Sequence, residues 1–255
     1  MKKTFPLLSI LLIMAGCSHS SAPGGASASS VAVPNYFHVD AAMAGTISGS
    51  VHFSGQRPAK KTIEMSNDPA CVNANQGAVY DDSMIIDDHN GLADAFVYVK
   101  SGLEGKTFAP AAAPVTIDQR GCWFHPRVIG VQVGQELDVV NSDPVTHNIH
   151  PMAQVNHEWN HSQGPGDPPM KRRFTKQEIM IPVKCNIHNW MHAHIGVVDH
   201  PYFAVSASDG SFTIPNLPPG TYTLEVWHDH LPTQEQQVTV PAHGNAKINF
   251  NFKAK

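Results

Sequence analysis

The sequence predicts an all-β protein. Three observations carry this: 19 glycines and 20 prolines punctuate short apolar runs in a chain of 255 residues, several of those runs alternate apolar and polar residues with period two, and no segment shows helical periodicity. With 42% hydrophobic residues the chain can fill one large core or two small ones. A formal charge of −4, from 17 Lys and Arg against 21 Asp and Glu, argues against nucleic acid as a partner, because that would call for a basic surface.

The elements follow in chain order. Met1-Lys2-Lys3 and the apolar run Phe5–Ala15 form a charged start and a hydrophobic stretch shorter than the ~20 residues of a membrane span, so residues 1–16 are expected to be an export signal. The stretch ends in Met14-Ala15-Gly16-Cys17, which resembles the bacterial lipobox and implies lipid attachment at Cys17; Ser18 after it leans towards the outer membrane. Residues 17–44, rich in Ser, Ala and Gly, read as a flexible tether. Thr46–Phe53 and Ala95–Val99 read as half-buried strands of an N-terminal β segment, residues 45–114. Further strands are expected at Val115–Ile117, Val128–Val133, Glu136–Val140, Ile179–Val183 and Ile195–Val198, with Gly134-Gln135 turning a hairpin. Residues 164–169 sit in a polar insertion too irregular for sheet.

Three cysteines remain after Cys17: Cys71, Cys122 and Cys185, an odd number in a compartment that permits disulfides. We pair Cys71 with Cys122, a bridge that stabilises by about 4 kcal/mol in the chain-entropy model; two buried thiols are the alternative. Cys185 is then free for other chemistry. It stands in a strand–loop–strand run, Ile179–Val198, with His188 and Met191 on the same loop, and upstream Glu136–His150 supplies a strand whose exit loop carries a histidine, His147 or His150. Two imidazoles, one thiolate and a weak axial thioether describe a one-electron copper centre, since soft sulfur favours Cu(I) and imidazole suits both oxidation states.

These residues resemble the cupredoxin family, and Cys185-x2-His188-x2-Met191 has the short ligand-loop spacing of amicyanin. The resemblance covers about residues 115–200. It implies one mononuclear type 1 copper ion held by His147, Cys185, His188 and Met191, with Asn141 tying the two ligand loops together by hydrogen bonds and Asn148 supporting it. It further implies that the His188 edge faces solvent as the electron port, beside Trp190. Asn189 stands where family members with this loop usually have proline. A closed zinc site would call for further Cys or His in place of thioether, a dinuclear copper site for a second cysteine near Cys185, and a multicopper oxidase for His-Cys-His.

His157-Glu158-Trp159-Asn160-His161 matches the His-Glu-x-x-His pattern of zinc proteases, but that chemistry needs a helix, and the flanking residues offer no apolar stripe to dock one. We read it as a polar loop, with His150, His157 and His161 able to collect a metal ion adventitiously. His192, His194, His200, His228 and His230 are singled out by no spacing.

Ala204–Trp227 resembles the transthyretin-like regulatory module of carboxypeptidases, a small β-sandwich. Phe203–Ser206, Phe212–Ile214, Tyr222–Trp227 and Gln237–Val240 read as its strands, Asp209-Gly210 closes a hairpin and Pro219-Gly220 a second turn, and Phe212, Ile214, Tyr222, Leu224 and Val226 share a face. Because the segment 45–114 resembles the opening strands of that module, the cupredoxin-like segment 115–200 is expected to be inserted in the sandwich completed by 201–255; a simple tandem is the alternative. The whole reads as an exported, lipid-anchored copper protein on the periplasmic side of a bacterial membrane. It is expected to pass single electrons to and from a redox protein of the envelope and not to act as an enzyme. A copper storage or delivery protein, or an envelope binding module for carbohydrate or protein, are the competing functions.

Overall fold

A computed structural model describes Met1 and residues 34–253; the export signal, Cys17 and the tether up to residue 33 lie outside the described residues. The N-terminal segment contributes β1 (Gly45–Ser54), β2 (Thr62–Ile63), α1 (Pro69–Ala74), β3 (Val79–Tyr80) and β4 (Phe96–Ser101). Nine strands follow: β5 (Val115–Arg120), β6 (Trp123–His125), β7 (Val128–Gln132), β8 (Glu136–Asn141), β9 (His147–Pro151), β10 (His161–Gln163), β11 (Met170–Arg173), β12 (Glu178–Lys184) and β13 (His192–Val198). The chain ends with β14 (Phe203–Val205), β15 (Ser211–Leu217), β16 (Gly220–His228), β17 (Leu231–Val240) and β18 (Asn245–Lys253). The fold is all-β; the six residues of α1 are the only α-helix among the described residues.

Hydrogen bonding sorts these strands into two sandwiches and a separate β2–β3 pair. In the first, β1 lies between β15 and β18, and β4 lies between β14 and β16, with β17 at the edge. Both N-terminal strands therefore pair with strands from the end of the chain, and β5–β13 form an excursion between β4 and β14. The core of this sandwich is apolar, with Ile47, Val51, Val97, Ile214, Leu224, Val226 and Phe250 fully buried. Strand β18, unmarked in the sequence reading, alternates strictly between exposed and buried residues from Asn245 to Lys253.

The second sandwich stacks β10-β9-β12-β13-β7 on β11-β8-β5-β6. Its core contains Ile117, Leu137, Val139, Ile149, Ile195 and Val197, and Met65 and Cys71 from the segment between β1 and β4 pack into the same core. A disulfide joins Cys71 to Cys122. The two sandwiches meet where Phe96, Tyr98, Val128, Met180 and Val198 bury one another. Gly130 and Gly196 face each other across β7 and β13. A Cβ on Gly196 would come within 2.6 Å of the Phe96 ring, and one on Gly130 within 2.2 Å of Phe203, so the paired glycines leave the flat surface on which those rings rest.

Several expectations are corrected. Gly134-Gln135 does not close a hairpin: β7 and β8 belong to opposite sheets of the second sandwich, and Asp209-Gly210 likewise passes the chain from β14 in one sheet to β15 in the other. The reversal itself is real, since Gly134 and Gly210 have φ of 81° and 79°, but a turn does not determine which sheet receives the outgoing strand. The polar insertion is partly sheet, because β10 pairs with β9 and β11 with β8. Residues 164–169 remain outside the strands.

The helix was missed too. Asn67-Asp68-Pro69 carries its signal: Asp68 caps it, accepting from the Ala70 and Cys71 amides at 3.0 and 3.2 Å, and Pro69 occupies the first turn where no amide is needed.

Candidate metal centre

His147 opens β9, and the loop Cys185–Met191 joins β12 to β13. That loop folds back on itself: the Cys185 amide donates to the Met191 carbonyl at 3.1 Å, the Met191 amide to the His188 carbonyl at 3.1 Å, and the His188 amide to the Cys185 sulfur at 3.4 Å. These bonds turn Cys185 and His188 to the same side. Their ligand atoms and that of His147 lie within 4.8 Å of one another, all three residues being buried.

The approach is close at the inner ring nitrogens. Nδ1 of His147 lies 3.0 Å from Nδ1 of His188, which is 3.8 Å from the Cys185 Sγ. Each outer nitrogen faces a carboxylate: His147 Nε2 lies 2.7 Å from Asp143 Oδ2, and His188 Nε2 lies 2.9 Å from Asp68 Oδ2. A carboxylate only accepts, so in the neutral rings the proton sits on each Nε2 and each Nδ1 keeps a lone pair directed at the other. Two buried lone pairs and a sulfur that converge in this way call for a cation between them. The 3.0 Å between the two nitrogens and the 3.8 Å from the His188 nitrogen to sulfur fit one ion bound at about 2.0 Å from nitrogen and about 2.3 Å from sulfur. The donor set, two imidazoles and one thiolate, suits copper.

Electrostatics point the same way. Burial pushes the His147 pKa below its ordinary value, against the pull of Asp143, and so favours the neutral imidazole that a metal requires. Asp143 is itself buried and fixed: it accepts the Gly121 and Cys122 amides at 2.7 Å each. The bond to His188 holds the Asp68 carboxyl below its usual range.

Of the residues expected from sequence, His147, Cys185 and His188 come together, and Met191 is fully buried in the same core cluster as Cys185. Asn141 does not join the two ligand loops. Its amide donates to the Val145 and Gln163 carbonyls at 2.8 and 2.9 Å, and its oxygen accepts from the Asp143 amide at 3.0 Å, so it shapes the loop before His147. The tie is made by Asn148, whose side-chain oxygen accepts from the Asn186 amide at 2.9 Å. The physical reason is reach: Asn148 lies on β9 beside the Cys185 loop, whereas Asn141 ends the neighbouring sheet.

The expectation of a solvent-facing His188 is also corrected. The residue is 3% exposed because Asp68 covers its outer edge. Trp190 is half-buried, its ring 5.2 Å from that of His188 and its Nε1 donating to the Cys122 carbonyl at 3.1 Å. His157-Glu158-Trp159-Asn160-His161 forms no helix. His161 begins β10, and Glu158 reaches back to His150 Nε2 at 2.6 Å.

Sequence reasoning missed Asp143 and Asp68. Asp143 lay within the quoted run four residues before His147, so spacing alone could have raised it. Asp68 is 120 residues from His188, and only its helix-capping role was legible.

Comparison with known proteins found a family model, a curated relative and solved structures that match parts of the chain. The family model described as a carboxypeptidase regulatory-like domain matches residues 191–253, which include all of β14–β18. Rhamnogalacturonate lyase A of Emericella nidulans is 40% identical over 57 residues, and the chain spans 11% of that protein's length. Among solved structures, the chain is similar to a copper-containing nitrite reductase from Thermus scotoductus SA-01, with 24% identity over 39% of this chain and 25% of that one at a TM-score of 0.32. A point mutant of oxidised amicyanin is 19% identical, covering 40% of this chain and 97% of that one at a TM-score of 0.30. A purple cupredoxin from Nitrosopumilus maritimus is 19% identical over 32% of this chain and 98% of that one, at 0.29.

Proposed function

We propose that this chain is a type 1 copper protein that carries single electrons and does not catalyse a reaction of its own. The observation behind this reading is the convergence of two carboxylate-braced imidazoles and one thiol, with Nδ1 atoms 3.0 Å apart. His147, Cys185 and His188 would hold the ion, with Met191 as the weak axial ligand; bound copper would supply a reversible one-electron couple. The chain's own residues supply rigidity. Asp143 and Asp68 keep each imidazole in the tautomer that ligates, and Asn148 locks the two loops at a fixed distance, so that a change of oxidation state requires little rearrangement. Burial of Cys185 keeps the thiol away from other oxidants in solution. The sandwich that carries the regulatory-like match is assigned as scaffold.

The location belongs to the same proposal: export by the leader, a lipid on Cys17, and exchange with a redox protein on the periplasmic side of the membrane. The deciding experiment is a visible spectrum of the purified chain before and after one equivalent of Cu(II), followed by voltammetry. An intense thiolate-to-copper band that bleaches with reductant and returns with oxidant is expected. A colourless protein overturns the copper reading, and a coloured protein without a reversible couple moves it to storage or delivery.

A further inference from the structure

The two histidines are braced by unlike means. Asp143 sits in the loop that leads to His147, so local chain geometry sets that pair. Asp68 comes from outside the metal-binding sandwich strands, on the segment between β1 and β4, and is held against His188 by a small assembly around α1. Its Oδ1 caps α1, leaving Oδ2 free for the ring. Helix α1 is bound covalently by Cys71 to Cys122. Asn75, at the other end of the helix, donates to the Gly121 carbonyl at 2.7 Å and accepts from Trp123 Nε1 at 3.3 Å. Trp190, from the ligand loop itself, donates to the Cys122 carbonyl. Capping bond, disulfide and these hydrogen bonds together leave the carboxylate little freedom.

We propose that Asp68 is a positioning residue of the metal centre: pinned by the Cys71–Cys122 bridge, it keeps the His188 proton on Nε2, aims Nδ1 at the ion and seals the ring's outer edge from solvent. The consequence for copper rests on the function proposed above; the consequence for the imidazole does not. With the edge of His188 closed, an approaching partner meets the cover formed by Asp68 and α1 and not the ligand itself.

Two variants test this in the full chain. Asp68→Asn preserves the helix cap, since asparagine is an equally good cap, but replaces the acceptor at Oδ2 with an amide donor. With the histidine ring nitrogens isotope-labelled, NMR of the metal-free protein is expected to place the His188 proton on Nε2 in the parent and on Nδ1 in D68N. Competition against a chelator for Cu(II) is expected to show affinity about 10–100-fold weaker in the variant. Asp68→Ser keeps a cap but is too short to reach the ring. It is expected to speed the acylation of His188 by a histidine-modifying reagent, read by peptide mass spectrometry with no metal present.

A proton that stays on Nε2 in D68N, or an unchanged acylation rate in D68S, overturns the assignment. If both metal-free readouts move as expected while the parent binds no copper, the positioning role stands and the function proposed above fails. Should D68N not fold, the acylation rate of D68S decides.

Discussion

The two sandwiches are built from similar strands, but they treat polar atoms differently. In the one closed by the two ends of the chain, alternation does most of the work: every second residue of β18 is buried and apolar, and the buried ionisable groups include Glu225 and His228 of β16. In the other, one end of the core is filled by Gln119, Asn141, Asp143, His147, Asn148, Gln163 and His188, all buried. They are tied into a network: Gln119 donates to Gln163 at 2.9 Å, Gln163 donates to the Val139 carbonyl at 3.1 Å, and Asn141 donates to the Gln163 carbonyl. Burying polar groups costs stability unless each finds a partner, and a network in which nearly all do, Gln119 Oε1 being the exception, becomes rigid. One sandwich is thus optimised for packing. The other gives up apolar burial at one end to hold ligand atoms in place.

The largest effect separates the two regions completely. Cys185→Ser is expected to abolish the intense copper band while leaving the far-ultraviolet circular dichroism and the regulatory-like sandwich unchanged; a variant that keeps its colour would remove Cys185 from the ligand set. Next, Phe250→Ala in the apolar core is expected to cost about 3–5 kcal/mol in denaturant unfolding, and in the remaining folded protein the spectrum should be that of the parent. A shifted spectrum would show that the regions are coupled more tightly than the shared patch around Phe96 suggests.

That patch can be tested directly. Gly196→Ala places a methyl group against the Phe96 ring, and overpacking of this kind costs about 1–3 kcal/mol, measured as a fall in the unfolding midpoint. The last expected effect is one of pH. His194, on β13, and His228, on β16, are both held neutral by burial, with pKa values lowered to about 4. Since the unfolded chain takes up protons near pH 6.5, the stability contributed by these residues is complete above that pH and is lost as pH falls towards about 4. Unfolding midpoints measured across this window should fall, and His228→Phe should flatten the slope without changing metal affinity.

Much of the site was legible because its parts are local. The spacing of Cys185, His188 and Met191 on one loop between two strands fixes their relation by chain geometry, while the choice of His147 over His150 came from the resemblance to the cupredoxin family. Asn148 was available in the same way, adjacent to His147, but its partner, the Asn186 amide, lies on another loop, and the bridging role was given to Asn141 instead. Asp68 could be recognised only as the residue before Pro69. In the fold, alternation showed β1 and β16, while the destination of each strand after a turn, as at Gly134 and Gly210, depended on which sheet offered an open edge.

By itself, then, the sequence determined the all-β class, most strands and the close spacing of Cys185, His188 and Met191 on one loop, all of which follow from period, spacing and composition over a few residues. Tertiary structure decided the rest: which strands pair in the nested arrangement the sequence analysis expected, that paired glycines seat Phe96, and that a carboxylate 120 residues away closes the edge of His188. Such contacts are set by loop closure, by core packing and by a covalent bridge, and none of these leaves a mark in the local pattern of residues.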